Sequence, residues 1–298
     1  MKVAVTGAQG MIGSALAKAL REKGHKVAEC THRNCDVLDT EQVRKALKGF
    51  DAVVHCAAEL NEDAKDLYEV NVRGTENVLE ACAQNGISQF IFLSTVGVFG
   101  LLPGMKDENT EPRPETEYER SKLEGEKRVL SYQEVFHITI IRPAIVLGNN
   151  RYWRQIIRMV GAGFPLIGSG KNRWQTICLE DLASAIAFCI GREECYGEIF
   201  IAAEKEPMTL GEIVERIRKE TGKNAPVKNI PLWLGNIIAR INSVLNLNPI
   251  LKPAYVKRLQ AERWYSTRKL EALGWKAKCS ARAELPEIVK AALAEKKK

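Results

Sequence analysis

The sequence predicts an α/β fold: a doubly wound parallel sheet with a smaller, mainly helical lobe toward the C-terminus. Three observations carry this. From Lys2 to Ala202, short apolar runs alternate with segments of helical period. Glycines and polar residues punctuate the joins between them. After about residue 149 the rhythm changes to a glycine-rich stretch and then mainly helical patterns. Strands that alternate with helices pair in parallel, because each crossover helix lies over one face of the sheet and both faces end up buried.

KVAVT at residues 2–6 is an apolar run, followed by a glycine turn, a helical pattern from Met11 to Lys23, Gly24 as a stop, and another apolar run at Val27. This is a βαβ unit. A helix is expected around Glu41 to Lys48, with Asp39 or Thr40 as its cap. Next come a strand AVVHCAA at 52–58, a long helix around Asp63 to Gln84, and a strand QFIFLST at 89–95. Between Gly100 and Glu117 the chain is polar and proline-rich, and connections of that length are usually functional or disordered. A helix from about Tyr118 to Tyr132 and a strand HITIIRP at 137–143 restore the alternation. GAGFPLIGSGKNR then leads to a helix from Asp181, a strand near Ile199 to Ala202, and helices to the end. Residues 1–149 with about 176–203 are therefore assigned to the sheet domain. Residues 150–175 with about 204–298 form the second lobe, closing over the first, with no internal repeat.

A chain of 298 residues, 45% apolar and 27% charged, buries a full core. No run approaches the roughly 20 apolar residues that cross a bilayer. The first strand begins at Lys2, which leaves no room for a cleavable leader, so a cytoplasmic protein without membrane partners is expected. The eight cysteines (Cys30, Cys35, Cys56, Cys82, Cys178, Cys189, Cys195 and Cys279) are scattered and form no CxxC or Cys/His cluster. They read as reduced core thiols, with no metal. The formal charge of +7 is spread along the chain, with a run only at Lys296 to Lys298. A solvated basic face explains it better than a nucleic-acid surface.

TGAQGMIG places Gly7, Gly10 and Gly13 three apart, directly after the first strand and opening the first helix. Glycines let backbone N–H groups approach a pyrophosphate, while the helix N-terminus supplies partial positive charge. A tight strand-to-helix turn can also use such glycines structurally. The order strand, turn, helix, second strand favours a dinucleotide.

Six further motifs accompany the glycines: HCAA at 55–58, NVRGT at 71–75, STVGVFG at 94–100, YERSK at 118–122, IRP at 141–143 and LEDLA at 179–183. With these the chain resembles the extended short-chain dehydrogenase/reductases, Rossmann-fold enzymes that include sugar epimerases, dehydratases and ketone reductases. The resemblance implies that Gly7, Gly10, Met11, Ile12 and Gly13 form a pyrophosphate turn, and that Asp36 with Val37 meets the adenine. It also implies Ala57 and Ala58 against a ribose, Asn71 near the cofactor through its side chain, and Pro143 in the cofactor site. Asp36 also reads as part of a helix start capped by Asp39 or Thr40.

Tyr118 and Lys122 are four apart on one helical face, so their polar ends can reach a common point. An ordinary amphipathic pair has the same spacing, but the resemblance implies an acid–base tyrosine and a lysine that binds the nicotinamide ribose. A phenol of pKa near 10 needs about 4 kcal/mol of differential stabilisation to ionise usefully at neutral pH. Lys122 and an oxidised nicotinamide are expected to supply it. In the family a serine or threonine sits three positions before a VYG tripeptide, here Val98-Phe99-Gly100, which selects Thr95 over Ser94 as the residue that bonds the substrate oxygen. Phe99 departs from the pattern and removes one hydroxyl.

An acidic side chain at the end of the second strand would hold the ribose 2′-OH of NAD. Here that position is Thr31, followed by His32 and Arg33, and an arginine suits a 2′-phosphate. The cofactor is thus NAD(P), with NADP favoured over NAD, although Arg33 also reads as a solvated loop residue and Glu29 lies close by. Nucleotide-sugar enzymes of this branch carry an Asn and an Arg where this chain has Ile145 and Trp174, with Arg173 adjacent. These residues, with Leu101, Leu102, Phe164 and Trp233 in lid segments, point to a less polar small-molecule substrate, unless they merely pack the lobe. The expected activity is NAD(P)-dependent hydride transfer at a secondary alcohol or ketone. The alternatives are a nucleotide-sugar epimerase or dehydratase with tightly held NAD, and a cofactor-binding scaffold without turnover. A homodimer is expected through the helices at 63–84 and 118–132. Its motive is the apolar spacing of Leu67, Val70, Val78, Leu79 and Cys82, and of Leu123, Val129 and Leu130, unless these face their own sheet.

Overall fold

The computed structural model describes residues 1–222, 228–245 and 253–295 of the chain, so the basic run Lys296 to Lys298 lies outside the described residues. In the first βαβ unit, β1 (Lys2–Thr6) leads through the glycine turn into α1 (Met11–Glu22) and then β2 (Lys26–Cys30). The Asp39 carboxylate accepts from the backbone N–H groups of Glu41 and Gln42 and so caps α2 (Thr40–Ala46). β3 (Ala52–His55) is shorter than AVVHCAA, because Cys56 to Ala58 leave the sheet. The long helix does not begin at Asp63: a π-helical turn at Glu69–Arg73 runs into α3 (Gly74–Gln84). π-turns within helices mark functional sites more often than chance.

β4 (Gln89–Leu93) ends before Ser94 and Thr95. The proline-rich connection is ordered by β5 (Met105–Lys106), and α4 (Glu117–Leu130) then opens with a capping box between Thr116 and Glu119. β6 (His137–Pro143) is followed by β7 (Ile145–Leu147) and α5 (Arg151–Gly161). The glycine-rich stretch contains β8 (Leu166–Ile167) and β9 (Arg173–Trp174), and β10 (Thr176–Cys178) leads into α6 (Leu179–Cys189) and β11 (Glu198–Ala202). The second lobe adds β12 (Met208–Thr209), α7 (Leu210–Glu220), β13 (Asn229–Ile230), α8 (Leu232–Leu245) and α9 (Pro253–Leu259). The chain closes with β14 (Trp264–Tyr265), α10 (Arg268–Ala272) and α11 (Ala281–Glu295).

The main sheet has the order β11-β6-β4-β3-β1-β2, with every neighbouring pair parallel. Successive strand residues point to opposite faces. Val3, Val5, Val54 and Ile91 therefore join one core with α1 and α6, while Ala4, Val53, Phe90 and Phe92 join another with α2, α3 and α4. Both faces are covered, as a doubly wound sheet requires. β2 lies on one side of β1 and β3 on the other, so the chain reverses direction there and opens a crevice at the carboxyl ends of β1 and β3.

The lobe has its own core of Trp153, Ile157, Trp174, Ile213 and Leu285. Packing redraws the expected lobe boundary in one place. Tyr265, Leu270 and Trp275 return to the core of the sheet domain, and the Trp275 indole donates to Ser184 Oγ at 3.2 Å. The apolar residues that motivated a dimer also have partners within the chain. Leu67, Val78, Leu79, Cys82 and Val129 are buried, and Val70, Leu123 and Leu130 pack against the two sheet cores. Helical spacing alone cannot tell a face turned to its own sheet from one turned to a second copy. All eight cysteines are free, six of them buried. Among the described residues no helix is long and apolar enough to cross a membrane.

Candidate active site

The crevice is lined by backbone. Gly7 has φ 67°, and a Cβ there would lie 2.7 Å from Ala57 N, so the turn after β1 and the loop after β3 touch without room for a side chain. A Cβ on Gly13 would meet the Gly7 carbonyl at 2.4 Å, which holds α1 tight against the turn. The N-terminus of α1 has Gly10 as its cap, with no side-chain cap bond and no acidic residue in its first turn. Its N–H groups and the positive end of its dipole are left for an anion. Met11 packs over Gly148, where a Cβ would meet its sulfur at 2.5 Å, and Ile12 packs against the core beneath. Pro143 is buried at the carboxyl end of β6, paired in register with Ala202.

Past the end of β2, Thr31 donates its backbone N–H and its hydroxyl to Asn34 Oδ1, at 2.7 and 3.2 Å, shaping a short loop. His32 lies 3.6 Å from Asp36, and Asp36 accepts from Leu38 N at 3.0 Å. Val37 is buried against Gly74. Glu29 points elsewhere and pairs with Arg21 at 2.6 Å. Arg33 is exposed and uncommitted among the described residues.

Three buried residues brace the loop after β3. Thr6 Oγ1 lies 2.7 Å from His55 Nδ1, and His55 Nε2 lies 3.1 Å from Thr75 Oγ1. Burial, helped by the Lys122 charge, holds the His55 imidazole down at about 3, so it is neutral and structural. Asn71 sits in the π-turn with both amide donors engaged, to Glu59 O at 2.9 Å and Ser121 Oγ at 2.9 Å, while its oxygen accepts from Glu59 N. Ser121 donates in turn to the Tyr118 carbonyl at 2.8 Å. Asn71 thus ties the loop to the first turn of α4, and its donors are spent on protein.

Thr95 and Ser94 separate by their partners. Ser94 is buried and donates to Glu126, which forms a buried two-pronged pair with Arg142 at 2.9 and 2.7 Å. Thr95 Oγ1 accepts from Gly97 N at 3.0 Å, which leaves its hydroxyl proton for a further acceptor. Phe99 stacks on Tyr265 at 6.1 Å and lies under the Arg142 guanidinium at 5.1 Å, so the missing hydroxyl is replaced by an aromatic contact.

Tyr118 and Lys122 lie one turn apart on α4, whose Glu119 side chain packs against Gly97 in the turn that begins at Thr95. Lys122 is 2% exposed. Its ammonium sits 4.1 Å over the Phe92 ring and has no hydrogen-bond or ion-pair partner among the described residues. Burial lowers it to about 8, partly opposed by the Cys56 thiol and the Glu126 carboxyl. The expected lowering of the Tyr118 phenol is not present in the protein by itself: burial, and then the adjacent Glu119 charge, push it up. Desolvation outweighs a lysine whose influence is spent on Cys56 and Glu126.

A match to the family described as NAD dependent epimerase/dehydratase spans residues 3–202. The chain belongs to that family. It is therefore an enzyme of the extended short-chain dehydrogenase/reductase type, in an NAD-dependent family. An undecaprenol-linked N-acetylglucosaminyl-diphosphate 4-epimerase of Escherichia coli O157:H7 is 28% identical, over 78% of this chain and 76% of that one. A 2-alkyl-3-oxoalkanoate reductase of Stenotrophomonas maltophilia is 26% identical, over 89% and 91%. The UDP-glucose 4-epimerase of Thermus thermophilus, solved with NAD, superposes with a TM-score of 0.76 at 24% identity, covering 98% of this chain and 99% of that one. That structural likeness shows the fold.

The family member has cleft features that its motifs did not reveal. Trp174 is buried, and Arg173 beside it is committed to Glu262 and to the Trp264 ring at 3.8 Å. Phe164 packs inside the lobe with Ile167 and Val256, whereas Trp233 is exposed. Leu101 and Leu102 are half-buried in the connection before β5. Cys178, Asp181 and Cys279 come within 4.8 Å of one another, but the Asp181 oxygens already accept from Lys278 N and Cys279 N.

Proposed function

We infer that this enzyme transfers a hydride between NAD(P) and a secondary alcohol or ketone, with Thr95, Tyr118 and Lys122 at the reacting carbon. The observation that supports it most is the buried Lys122 ammonium, which has no hydrogen-bond or ion-pair partner among the described residues, in a chain whose α1 N-terminus has no side-chain cap. A buried cation without an acceptor is costly unless a ligand supplies one. The residues present fit a dinucleotide: Gly7, Gly10, Met11, Ile12 and Gly13 for the pyrophosphate, Asp36 and Val37 for the adenine, Ala57, Ala58 and Pro143 along the nucleosides, and Lys122 for the nicotinamide ribose. A bound nicotinamide would supply or take the hydride.

The chain's own part is to orient the substrate and move its proton. The Thr95 hydroxyl donates to the substrate oxygen and holds it. Tyr118 gives that oxygen a proton in reduction and takes it in oxidation. The phenol, pushed up by burial, is the proton-bearing form at rest, which suits the reductive direction. Asn71 positions α4 and the loop after β3 through its bonds to Ser121 and Glu59.

NADP is the preferred form in this reading, because Arg33 is free to pair with a 2′-phosphate and the nearest carboxylate, Glu29, is held by Arg21. Ile145 and Trp174 favour the reductase reading over a nucleotide-sugar epimerase, and the reductase relative matches over a larger share of both chains. A homodimer through α3 and α4 would be built on faces bearing ion pairs such as Arg128 with Glu76 and Glu124. The test of the activity is Tyr118→Phe on a substrate found by screening ketones and alcohols with both cofactors. Loss of about 10²- to 10⁴-fold in turnover with unchanged cofactor binding is expected. Retention of more than about a tenth would remove Tyr118 from the proton path.

A further inference from the structure

The geometry points to an anion subsite in the substrate cleft, where the Arg263 guanidinium, lying on Trp174, takes a carboxylate or phosphate oxygen of the substrate. The inference rests on the proposed hydride-transfer reading for its location and names the substrate class. Several cations around the cleft have partners. Arg258 pairs with Glu119, Arg173 with Glu262, and Arg142 with Glu126. Lys106 donates to the carbonyls of Leu102 and Glu262. Arg263 has no carboxylate and no side-chain acceptor among the described residues, and its Nε is buried without a partner. Its guanidinium lies 4.7 Å over the Trp174 ring, and the Trp174 indole N–H is likewise buried and unpartnered.

Placement ties this pair to the chemistry. Arg263 directly precedes β14, so alternation sends its side chain to the same side as Tyr265, which stacks on Phe99 in the turn that begins at Thr95. Its backbone N–H donates to Arg173 O at 2.8 Å and its carbonyl accepts from Gln175 N at 2.9 Å, which pins it beside Trp174. Arg258 reaches Glu119, next in sequence to Tyr118. Arg258 and Arg263 both lie close enough to bear on the hydroxyls of Tyr152 and Tyr265.

Charge then selects the ligand. Of the carboxylates near this wall, Glu119 pairs with Arg258, Glu262 pairs with Arg173 and Glu62 acts on Arg258, so among the described residues none pairs with Arg263. A guanidinium fixed over an aromatic ring can still donate its N–H groups, and it suits the two oxygens of a carboxylate or phosphate.

The test uses the full chain and follows its tryptophan indole N–H signals by NMR, with Trp174→Phe identifying the Trp174 resonance. The probes are inorganic phosphate, benzoate and, as an uncharged counterpart, benzyl alcohol. A saturable shift of the Trp174 signal with phosphate or benzoate, and none with benzyl alcohol, is expected. Arg263→Met should weaken that binding by about tenfold or more, Arg263→Lys should retain part of it, and Lys18→Gln, at an exposed site on α1, should retain all. The anion that binds tighter distinguishes an acid substrate from a phosphorylated one. If Arg263→Met does not fold, the Arg263→Lys series and the charged-against-neutral comparison decide. Equal shifts with benzyl alcohol, or anion binding indifferent to Arg263, would overturn the subsite. Because the readout is binding, a protein that binds anions without turnover would sink the hydride-transfer reading and leave the subsite standing.

Discussion

Lys122→Met should make the ligand-free enzyme more stable while weakening its hold on cofactor. Burial lowers the Lys122 ammonium from 10.5 to about 8. That difference of about 2.5 units, at about 1.36 kcal/mol each, disfavours the charged form by roughly 3 kcal/mol near neutral pH. Methionine has similar length, carries no charge to desolvate, and keeps a favourable contact with the Phe92 ring. Losing the ammonium's own attraction to that ring removes about 1 kcal/mol of the gain. A net gain of about 1 to 3 kcal/mol follows, or roughly 2 to 8 °C in Tm for a chain of this size. The sign with pH is definite. Between about 8 and 10.5 the unfolded chain binds more protons at this site than the folded one, so wild-type stability rises through that window and the variant gains nothing there. Urea unfolding at about pH 7 and about pH 10 should show the gap between the two proteins narrowing. Cofactor affinity is measured separately by equilibrium dialysis. A variant less stable than wild type at neutral pH, or a gap indifferent to pH, would refute the claim that this ammonium is held against its preference for water.

The remaining predictions concern the cofactor loop and the buried polar groups. Arg33→Ala should weaken NADP binding by about 1 to 3 kcal/mol and leave NAD nearly unchanged; calorimetry showing equal losses would remove Arg33 from the 2′-phosphate. Glu126→Leu strands the buried Arg142 guanidinium and should cost about 3 to 5 kcal/mol in urea unfolding, with most of that regained in the double variant Glu126→Leu/Arg142→Met. His55 is held at about 3 in the fold against 6.5 when free. Stability should therefore fall as pH drops below about 6.5, by about 2 kcal/mol at pH 5, and His55→Gln should flatten that slope in acid titrations followed by circular dichroism.

The alternation of apolar runs and helical segments and the glycine turn were enough to place the sheet and its crevice, because each depends on neighbours within a few residues, whereas the roles proposed for Thr95, Tyr118 and Lys122 come from the resemblance. The resemblance selects Thr95 over Ser94, and in the structure Ser94 donates to Glu126 while Thr95 accepts from Gly97 N. The long helix starts later than Asp63 because residues 62–66 form turns ahead of the π-turn, and that turn aims Asn71 at Glu59 and Ser121. The ionisation of Tyr118 was likewise beyond local reading: spacing shows that Lys122 is near in sequence, whereas burial and the Glu119 charge decide the sign.

By itself the sequence determined that a parallel sheet with a dinucleotide crevice forms, because strand period, helix period and turn glycines are local properties of the chain. Only the tertiary structure decided what each polar group meets across the fold. Arg258 on Glu119, Arg263 on Trp174 and Asp181 beside Cys279 join residues about 90 to 140 positions apart. Their partners are set by packing within the second lobe and between it and the sheet, a long-range arrangement that no spacing within either segment encodes.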